Sequence, residues 1–404
     1  MPANQQAPRP RFFSLSQPAD KQQRDQLVAE NPHLRVIDTY ETQLKELFVL
    51  DNPPLNFNKP ELEKHFAAHR DAHYGSGGAE AAGQWIYLPW RHVLLHLLDD
   101  EGFQKVRTGR NRNLITADEQ RTYYHSTISI GGLSVGNSIA VSIVLTGGGK
   151  HLRLADPDTL ELTNLNRIRA SIAELTEPKV YLTARQIYEL DPYADLTLYP
   201  EGITDENIEA FCDGANVIID EIDNLDIKIK LRLEAKRRRL PLLQATDNGD
   251  SGLLDVERYD LDENITPFHG RLGEDPAGDY LNKKLPLPLL GKLIGEKLVG
   301  FTITEPRMQQ SLLAIGKEIP TWPQLGGAAL LNGVAVAAAV RKILTDQPVN
   351  DTRSILSLSS LLIPGYDSEE QIAARGENTA KFAAAYNAAI EQFLKMTGNK
   401  SHHP

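Results

Sequence analysis

The sequence predicts an α/β protein with a doubly wound, mainly parallel sheet, an antiparallel extension of that sheet and a smaller α+β region before it. From residue 127 onward, short apolar runs alternate with amphipathic helical stretches, which is the pattern of a parallel sheet covered on both faces. A glycine turn joins the first strand of this series to the first helix. From Gly252 the strand-like runs follow each other closely, and this predicts the antiparallel extension.

The predicted elements follow in order along this part of the chain. Pro178 lies in the first turn of one helix, where its missing N–H does no harm, and Gly147 to Gly149 stop another. Strands are predicted at 127–130, 151–155, 196–199, 215–220, 242–246 and 356–363, and helices at 137–146, 177–190, 204–211, 226–239 and 377–396.

Composition shifts divide the 404 residues into four predicted segments. The polar, proline-rich residues 1–25 are expected to be a disordered lead-in. Residues 26–106 form an α+β region that could recognise a substrate or act as a lid. Residues 107–365 form the sheet domain, and residues 366–404 a helical tail.

Bulk composition limits the classes of function. The net charge of −11 argues against a nucleic-acid partner. Cys212 is the only cysteine, so the chain cannot build an internal disulfide or a thiolate zinc site. No secretory signal opens the sequence, and the apolar run 326–340 is shorter than a bilayer span. We therefore expect a cytoplasmic protein without a membrane segment, in which that run is a buried packing helix.

The glycine turn partly matches the dinucleotide fingerprint G-x-G-x-x-G. Gly131 and Gly136 occupy its outer positions, whereas Leu133 replaces the middle glycine and Gly132 lies beside it. Asp156 follows Gly131 by 25 residues, at the end of the second strand, where an acid can accept hydrogen bonds from ribose hydroxyls. The turn alone is also compatible with an ordinary strand–helix corner that binds no ligand.

Polar residues farther along the chain suggest a polyphosphate ligand. Asn164, Arg167 and Lys179 follow the second strand, and Asp223 follows the apolar strand that ends at Asp220. Parallel strands present such residues at their carboxyl ends, where open α/β sheets bind ligands. Cationic side chains at a helix N-terminus suit a polyphosphate, and a free carboxylate beside them suits Mg²⁺. A dehydrogenase would not need a dedicated acid for Mg²⁺.

The combined motifs resemble the signature of the ubiquitin-activating superfamily, over roughly residues 107–255. This superfamily includes the adenylating enzymes of thiamine and molybdopterin sulfur transfer (ThiF- and MoeB-like) and the microcin-type peptide adenylyltransferases. The matching motifs are Asp156-Pro-Asp-Thr-Leu-Glu-Leu-Thr-Asn-Leu-Asn-Arg167, Glu177-Pro-Lys179, Leu190-Asp-Pro192 and Asp220-x-x-Asp223-Asn224-x-x-x-Lys228.

The resemblance implies an ATP- and Mg²⁺-dependent adenylyltransferase that converts a substrate carboxylate into an acyl-adenylate. The carboxylate could belong to a peptide, a protein tail or a small molecule. The resemblance also implies a homodimer, because one arginine of the family enters the partner subunit's phosphate site. The implied roles are a glycine loop at Gly131, Gly132 and Gly136, a ribose contact at Asp156, triphosphate contacts at Asn164, Arg167 and Lys179, a Mg²⁺ ligand at Asp223 and the partner-site arginine at Arg112.

Departures from the family pattern keep two other functions open. Leu133 could crowd the phosphates, and Ile168 replaces a glutamine that often follows the arginine. A catalytically silent nucleotide sensor or scaffold is therefore the second hypothesis. An NAD-linked oxidoreductase is the third, supported only by the turn and Asp156. Cys212 lies away from the family's thioester and persulfide positions, so we expect no covalent thiol step.

Three further features have a functional and a structural interpretation, and the structural one is favoured in each case. His92 and His96 have the spacing of a metal pair on a helix, but they also fit an amphipathic surface. The basic stretch 228–239 could contact RNA, but its apolar spacing indicates a helix that covers the sheet. Turn formation explains the remaining feature, a possible group of metal ligands at Asp247, Asp250 and Asp255.

Overall fold

The computed structural model describes residues 7–397, which divide into two compact units. The first unit runs to His125 and also takes in 144–150 and 184–195, and the second contains 126–143, 151–183 and the chain from Leu196 onward. The division after His125 falls later than the boundary predicted at 106/107.

The first unit contains a four-stranded sheet in the order β1-β3-β4-β2. Strand β2 pairs with β4 in parallel, and the other two pairings are antiparallel. Its strands are β1 (Arg11–Phe13), β2 (Arg35–Asp38), β3 (Gln84–Leu88) and β4 (Val93–Leu97), and its helices are α1 (Pro18–Glu30), α2 (Tyr40–Asp51), α3 (Lys59–Tyr74), α4 (Gly78–Ala81), α5 (Asp100–Arg107) and α6 (Ala117–His125).

The lead-in predicted to be disordered is ordered over the residues that the structure describes. Residues 1–6 lie outside this range, but Phe13 pairs with Trp85 of β3, and α1 begins at Pro18. The Phe13 side chain is buried in a cluster with Trp85 and Leu94. The prediction of disorder for residues 7–25 is therefore wrong, because burial against a distant strand outweighs the polar local composition.

The second unit is organised around a seven-stranded sheet in the order β11-β10-β9-β8-β5-β6-β7. Its strands are β5 (Thr127–Gly131), β6 (His151–Ala155), β7 (Asp195–Tyr199), β8 (Val217–Asp220), β9 (Pro241–Asn248), β10 (Ser251–Arg258) and β11 (Arg353–Leu356). Strand β5 is parallel to β6 and β8, and β8 is parallel to β9. Strands β9, β10 and β11 pair antiparallel, so the predicted fold class and its antiparallel extension are confirmed.

The helices from Val135 onward include the long Ala-rich helix. They are α7 (Val135–Leu145), α8 (Lys179–Leu190), α9 (Ile208–Cys212), α10 (Leu225–Arg238), α11 (Pro276–Tyr280), α12 (Leu287–Lys292), α13 (Pro306–Ala314), α14 (Gly326–Leu344), α15 (Leu358–Leu362) and α16 (Glu369–Thr397). By length and composition alone, α14 could cross a membrane. In the structure it packs on β9 and β10 and buries nine of its side chains.

One element differs in type from its prediction. The apolar run 356–363 is predicted as a strand, but β11 ends at Leu356 and α15 follows. The Ser357 hydroxyl accepts a hydrogen bond from the Ser360 backbone N–H at 3.1 Å and so caps the short helix. Serine at this position favours a helix start over continued strand pairing.

Candidate functional site

The order of the strands reverses at β5, and this reversal identifies the candidate site. The chain proceeds from β5 outward to β6 and β7, then returns to place β8 on the other side of β5. The carboxyl ends of β5 and β8 therefore flank a crevice of the kind at which doubly wound sheets bind ligands. The Glu221 backbone N–H donates to the Gly131 carbonyl at 2.8 Å and ties these two strand ends together.

The turn after β5 requires glycine for reasons of conformation and packing. Gly132 has a φ of +83°, and a Cβ added there would lie 2.2 Å from the Glu221 carbonyl oxygen. A Cβ on Gly131 would lie 2.8 Å from Ile222 Cδ1. The backbone of the turn is therefore pressed against the end of β8, and α7 begins directly after it at Val135.

Leu133 does not project from the turn. Its side chain is completely buried, so the replacement of the middle glycine fills the protein interior. Its backbone N–H donates to Asp156 Oδ2 at 2.6 Å. The expectation that Leu133 crowds a phosphate finds no support in the placement of its side chain.

Asp156 and Lys179 lie close together at the end of β6. Asp156 is 4% exposed, and its Oδ1 accepts the Asp158 backbone N–H at 2.8 Å. Burial raises the pKa of this carboxyl, and the nearby charge of Lys179 opposes the rise. Lys179 Nζ is bonded to Asp158 Oδ2 at 2.8 Å, and that aspartate is largely exposed.

Arg167 reaches back to the glycine turn from the loop after β6. Its Nε donates to Ser134 Oγ at 2.8 Å, and its Nη1 donates to Asn166 Oδ1 at 3.0 Å. Burial lowers the pKa of its guanidinium, while the negative charges of Asp247, Asp223 and Glu161 oppose that shift. Arg167 therefore contacts the glycine turn, and the sequence-predicted Asp223 lies close enough for its charge to act on the guanidinium.

Two asparagines of the motifs shape the backbone around the site. Asn164 is buried, and its Oδ1 accepts the Glu161 N–H at 3.0 Å, which closes its own short helical turn. The Asn224 side chain accepts the Ile227 N–H at 3.1 Å and caps α10. This cap sets the start of α10 and leaves Asp223, the preceding residue, exposed at the mouth of the crevice.

Asp220 has a structural role in the same motif. It is completely buried, and its Oδ2 accepts from Arg232 Nη1 at 2.5 Å and from Lys228 Nζ at 3.2 Å. These cations hold the pKa of Asp220 below its ordinary value despite burial. Arg232 on α10 also donates to Glu257 Oε1 on β10 at 2.8 Å, so the network ties α10 to the sheet.

Two further carboxyl groups of the site were missed or misjudged from the sequence. Asp247 on β9 is 3% exposed, and burial raises its pKa to about 6. Glu221 follows β8 and accepts the Ala245 N–H at 2.7 Å, and burial raises its pKa well above the ordinary value. Both acids lie at the ends of apolar strands, which is the signal that the sequence offers for them, whereas the interpretation of Asp247 as a turn residue overlooks its burial.

Other candidates lie outside this cluster. Arg112 is in the first unit, where its Nη1 donates to the Leu50 carbonyl at 2.9 Å, and its role in a partner's site stays a prediction. Cys212 is completely buried, and burial raises its pKa to about 12, as expected for a packing residue. His96 is buried on β4 and contacts Asp38 at 3.0 Å and the Ala82 carbonyl at 2.7 Å. It is therefore part of a folded core.

The basic side chains of α10 are largely paired. Lys230 contacts Asp205, Arg237 contacts Glu234, and Arg238 contacts Asp213. These pairs agree with a solvated helix face that covers the sheet. Across residues 7–397, no group of three or more His, Cys, Asp or Glu side chains has the arrangement of a metal site.

Comparison with known proteins gives a family match that covers this crevice. The model of the ThiF family matches residues 108–256. An uncharacterised protein of Mycobacterium tuberculosis is 38% identical over 70% of this chain and 39% of its own length. The tRNA threonylcarbamoyladenosine dehydratase of Bacillus subtilis is 28% identical over 44% of this chain and 67% of its own length.

A third relative carries the name of an adenylating enzyme. The sulfur carrier protein ThiS adenylyltransferase of Escherichia coli is 28% identical over 35% of this chain and 57% of its own length. The chain thus spans about two fifths of the mycobacterial relative and less than two thirds of the ThiS adenylyltransferase.

Proposed function

We propose that this chain is an ATP- and Mg²⁺-dependent adenylyltransferase acting on a carboxylate, because the model of the ThiF family matches residues 108–256. The observation that carries this proposal is the contact of Arg167 with Ser134 of the glycine turn after β5, together with the charge of Asp223 after β8 acting on that arginine. The name of the ThiS adenylyltransferase among the relatives supports the same reaction.

The proposed reaction needs charge stabilisation and no covalent enzyme intermediate. An oxygen of the substrate carboxylate attacks the α-phosphorus of ATP and forms the acyl-phosphate bond. The bond from that phosphorus to the β-phosphate oxygen breaks, and pyrophosphate leaves with the electron pair. Arg167 and Lys179 would stabilise negative charge on the phosphates, and Mg²⁺ bound at Asp223 would supply further neutralisation.

The geometry is compatible with these roles. Lys179 is buried and bonded to Asp158, whose side chain is 66% exposed and can turn into water when a phosphate takes its place beside the lysine. Asp156 uses one lone pair of each carboxylate oxygen for a backbone N–H, which leaves acceptor capacity for ribose hydroxyls. The donor set at Asp223 is one exposed carboxylate, and Mg²⁺ is commonly bound by one or two carboxylates together with phosphate oxygens.

ATP–pyrophosphate exchange in the presence of candidate carboxylates tests the proposal. We expect Arg167→Ala and Asp223→Ala to reduce the exchange rate by roughly 100-fold or more, because each removes charge stabilisation from the transition state. The exposed Arg169→Ala and Asp250→Asn substitutions are matched controls and should retain near wild-type rates. Exchange that persists in Arg167→Ala or Asp223→Ala would contradict the assigned roles.

A catalytically silent nucleotide-binding scaffold is the alternative function. Its support is that the Leu133 backbone N–H, a potential phosphate donor, is already bonded to Asp156. Calorimetry with ATP and Mg²⁺, combined with the exchange assay, separates the two functions. Binding of ATP without measurable exchange would favour the scaffold, whereas binding with measurable exchange would favour the enzyme. The proposal also includes a homodimer, in which Arg112 of one subunit enters the site of its partner. It further includes a cytoplasmic location.

A further inference from the structure

Asp247 is a buried carboxylate beside Arg167 to which the proposed reaction gives no task. It lies on β9 and is 3% exposed. Asn332 Nδ2 on α14 donates to its Oδ1 at 2.7 Å, and Gln324 Nε2 donates to its Oδ2 at 3.3 Å. Its charge is the main attraction that opposes the burial of Arg167. Two hydrogen bonds from one segment of the chain therefore hold this carboxylate in place, within range of the charge of the arginine.

The same segment also reaches Arg167 by a second route. The Asn166 side chain donates from Nδ2 to the Gln324 carbonyl at 2.7 Å, while its Oδ1 accepts from Arg167 Nη1 at 3.0 Å. The backbones are in close contact here, because a Cβ on Gly326 would lie 2.2 Å from the Asn166 carbonyl oxygen. Residues 324–332, called the clamp segment below, thus contact Arg167 through Asn166 and also hold Asp247 by two hydrogen bonds.

We propose that Asp247 is a positioning residue that the clamp segment orients, and that it fixes the Arg167 guanidinium against Ser134 of the glycine turn. The proposal rests on the proposed function only in assigning Arg167 to the phosphates. A long arginine side chain loses rotational freedom when it is held, and the attraction of a buried carboxylate offsets this loss before ATP arrives. Asp247 itself does not touch substrate.

Hydrogen bonding alone does not account for an aspartate at this position. An asparagine could accept the Asn332 bond equally well, and Gln324 could rotate its amide to match it. The carboxylate instead keeps a buried charge whose raised pKa reflects unfavourable desolvation. The nearby cation that attracts this charge is Arg167. The Glu221 carboxyl and the Asp247 carboxylate repel each other.

The decisive variant is Asp247→Asn, which removes the charge and keeps the shape. We expect kcat of ATP–pyrophosphate exchange to fall about 10- to 100-fold, because a misplaced catalytic group has effects of this size. We expect KM for ATP to stay unchanged or fall, since a carboxylate that repels the triphosphate has been removed. Asp250→Asn, an exposed aspartate three residues along the chain, is the matched control and should leave both constants unchanged.

A double-mutant comparison separates positioning from general damage. In an Arg167→Lys background, Asp247→Asn should cause little further loss, because the side chain that it positions is already gone. A wild-type rate for Asp247→Asn, or a full additional loss in the Arg167→Lys background, would overturn the proposal.

Failure of the proposed function would leave this inference testable on structure. If the wild-type protein shows no exchange with any carboxylate, crystal structures of the wild type and of Asp247→Asn give the readout. We expect the Arg167 Nε contact to Ser134 Oγ, which is 2.8 Å in the native protein, to be lost in the variant. Retention of that contact in Asp247→Asn would overturn the proposal whatever the activity of the protein.

Discussion

At the scale of single residues, Asp247 should lower the stability of the fold that contains it. Burial raises its folded-state pKa to about 6, above the ordinary aspartate value of 3.8. Between these two pH values the folded protein binds more protons than the unfolded chain, so this group makes the free energy of unfolding fall as pH rises. The cost is absent below pH 4 and complete above pH 6. A shift of this size corresponds to about 1–3 kcal/mol.

We therefore expect Asp247→Asn to raise the free energy of unfolding by about 1–3 kcal/mol at pH 8, because asparagine resembles the protonated acid. The gain should shrink toward zero as pH approaches 4. Urea denaturation of wild type and variant across this range measures the difference and cancels the titration of all other groups. A gain that is independent of pH, or a loss at pH 8, would show that Asp247 is not a destabilising charge.

The sequence reveals some site residues better than others, and the reason is distance along the chain. Arg167, Lys179 and Asp223 could be proposed as site residues because they lie between a strand of the parallel sheet and the helix that follows it or at the start of that helix, and the order of the strands places the ends of β6 and β8 on either side of β5. Their roles stay predictions. Asp247 could not be recognised, since its partners Asn332 and Gln324 lie about 80 residues further on. The burial of the Leu133 side chain depends on packing partners from elsewhere in the chain, which one sequence does not reveal.

At the scale of elements, α14 packs closely at Gly333 on α7, the helix that follows the glycine turn. A Cβ on Gly333 would lie 2.8 Å from Ser138 Cβ on α7, whereas a Cβ on Gly327 of the same helix would meet nothing within 4 Å. Residues of α14 also include Asn332, which holds Asp247. The contact at Gly333 therefore fixes the distance between α14 and α7, and with it the position of the clamp segment relative to Asp247.

The two glycines form a matched pair for substitution by alanine. Gly327→Ala should be neutral or stabilising by up to about 1 kcal/mol, since alanine is the better helix former. Gly333→Ala gains the same propensity but must push α14 away from α7, so we expect a net loss of about 1–3 kcal/mol. Thermal unfolding of both variants tests this contrast, and equal melting temperatures would show that the two helices separate freely.

Element types could be predicted where the hydrophobic periodicity is strong. The predictions failed where a helix cap or burial against a distant part of the chain decides the structure. Strands β5 to β9 and their helices follow from alternating apolar runs. The run after Leu356 has the composition of a strand, but the Ser357 cap turns it into α15. Residues 11–13 (Arg-Phe-Phe) follow a polar, proline-rich stretch and are too short to show a periodic pattern, yet they pair with β3, and no local signal identifies that partner.

At the scale of the whole molecule, the proposed homodimer predicts that Arg112 acts on the partner's site. Arg112→Ala and Asp223→Ala should then each abolish exchange, the first by removing the partner's cation and the second by removing the proposed metal ligand. Mixed and re-equilibrated, the two inactive proteins would form heterodimers in which one of the two sites carries both wild-type residues.

Random pairing makes half of the dimers heterodimers, so the mixture should recover roughly a quarter of the wild-type exchange rate. The same mixing of Arg167→Ala with Asp223→Ala should recover none, because one chain supplies both residues to the same proposed site and every site then lacks one of them. Sedimentation of the wild type should show a dimer at assay concentration. A monomer, or a failure of the Arg112→Ala mixture to regain activity, would remove Arg112 from the site and leave Arg167 and Lys179 as its cations.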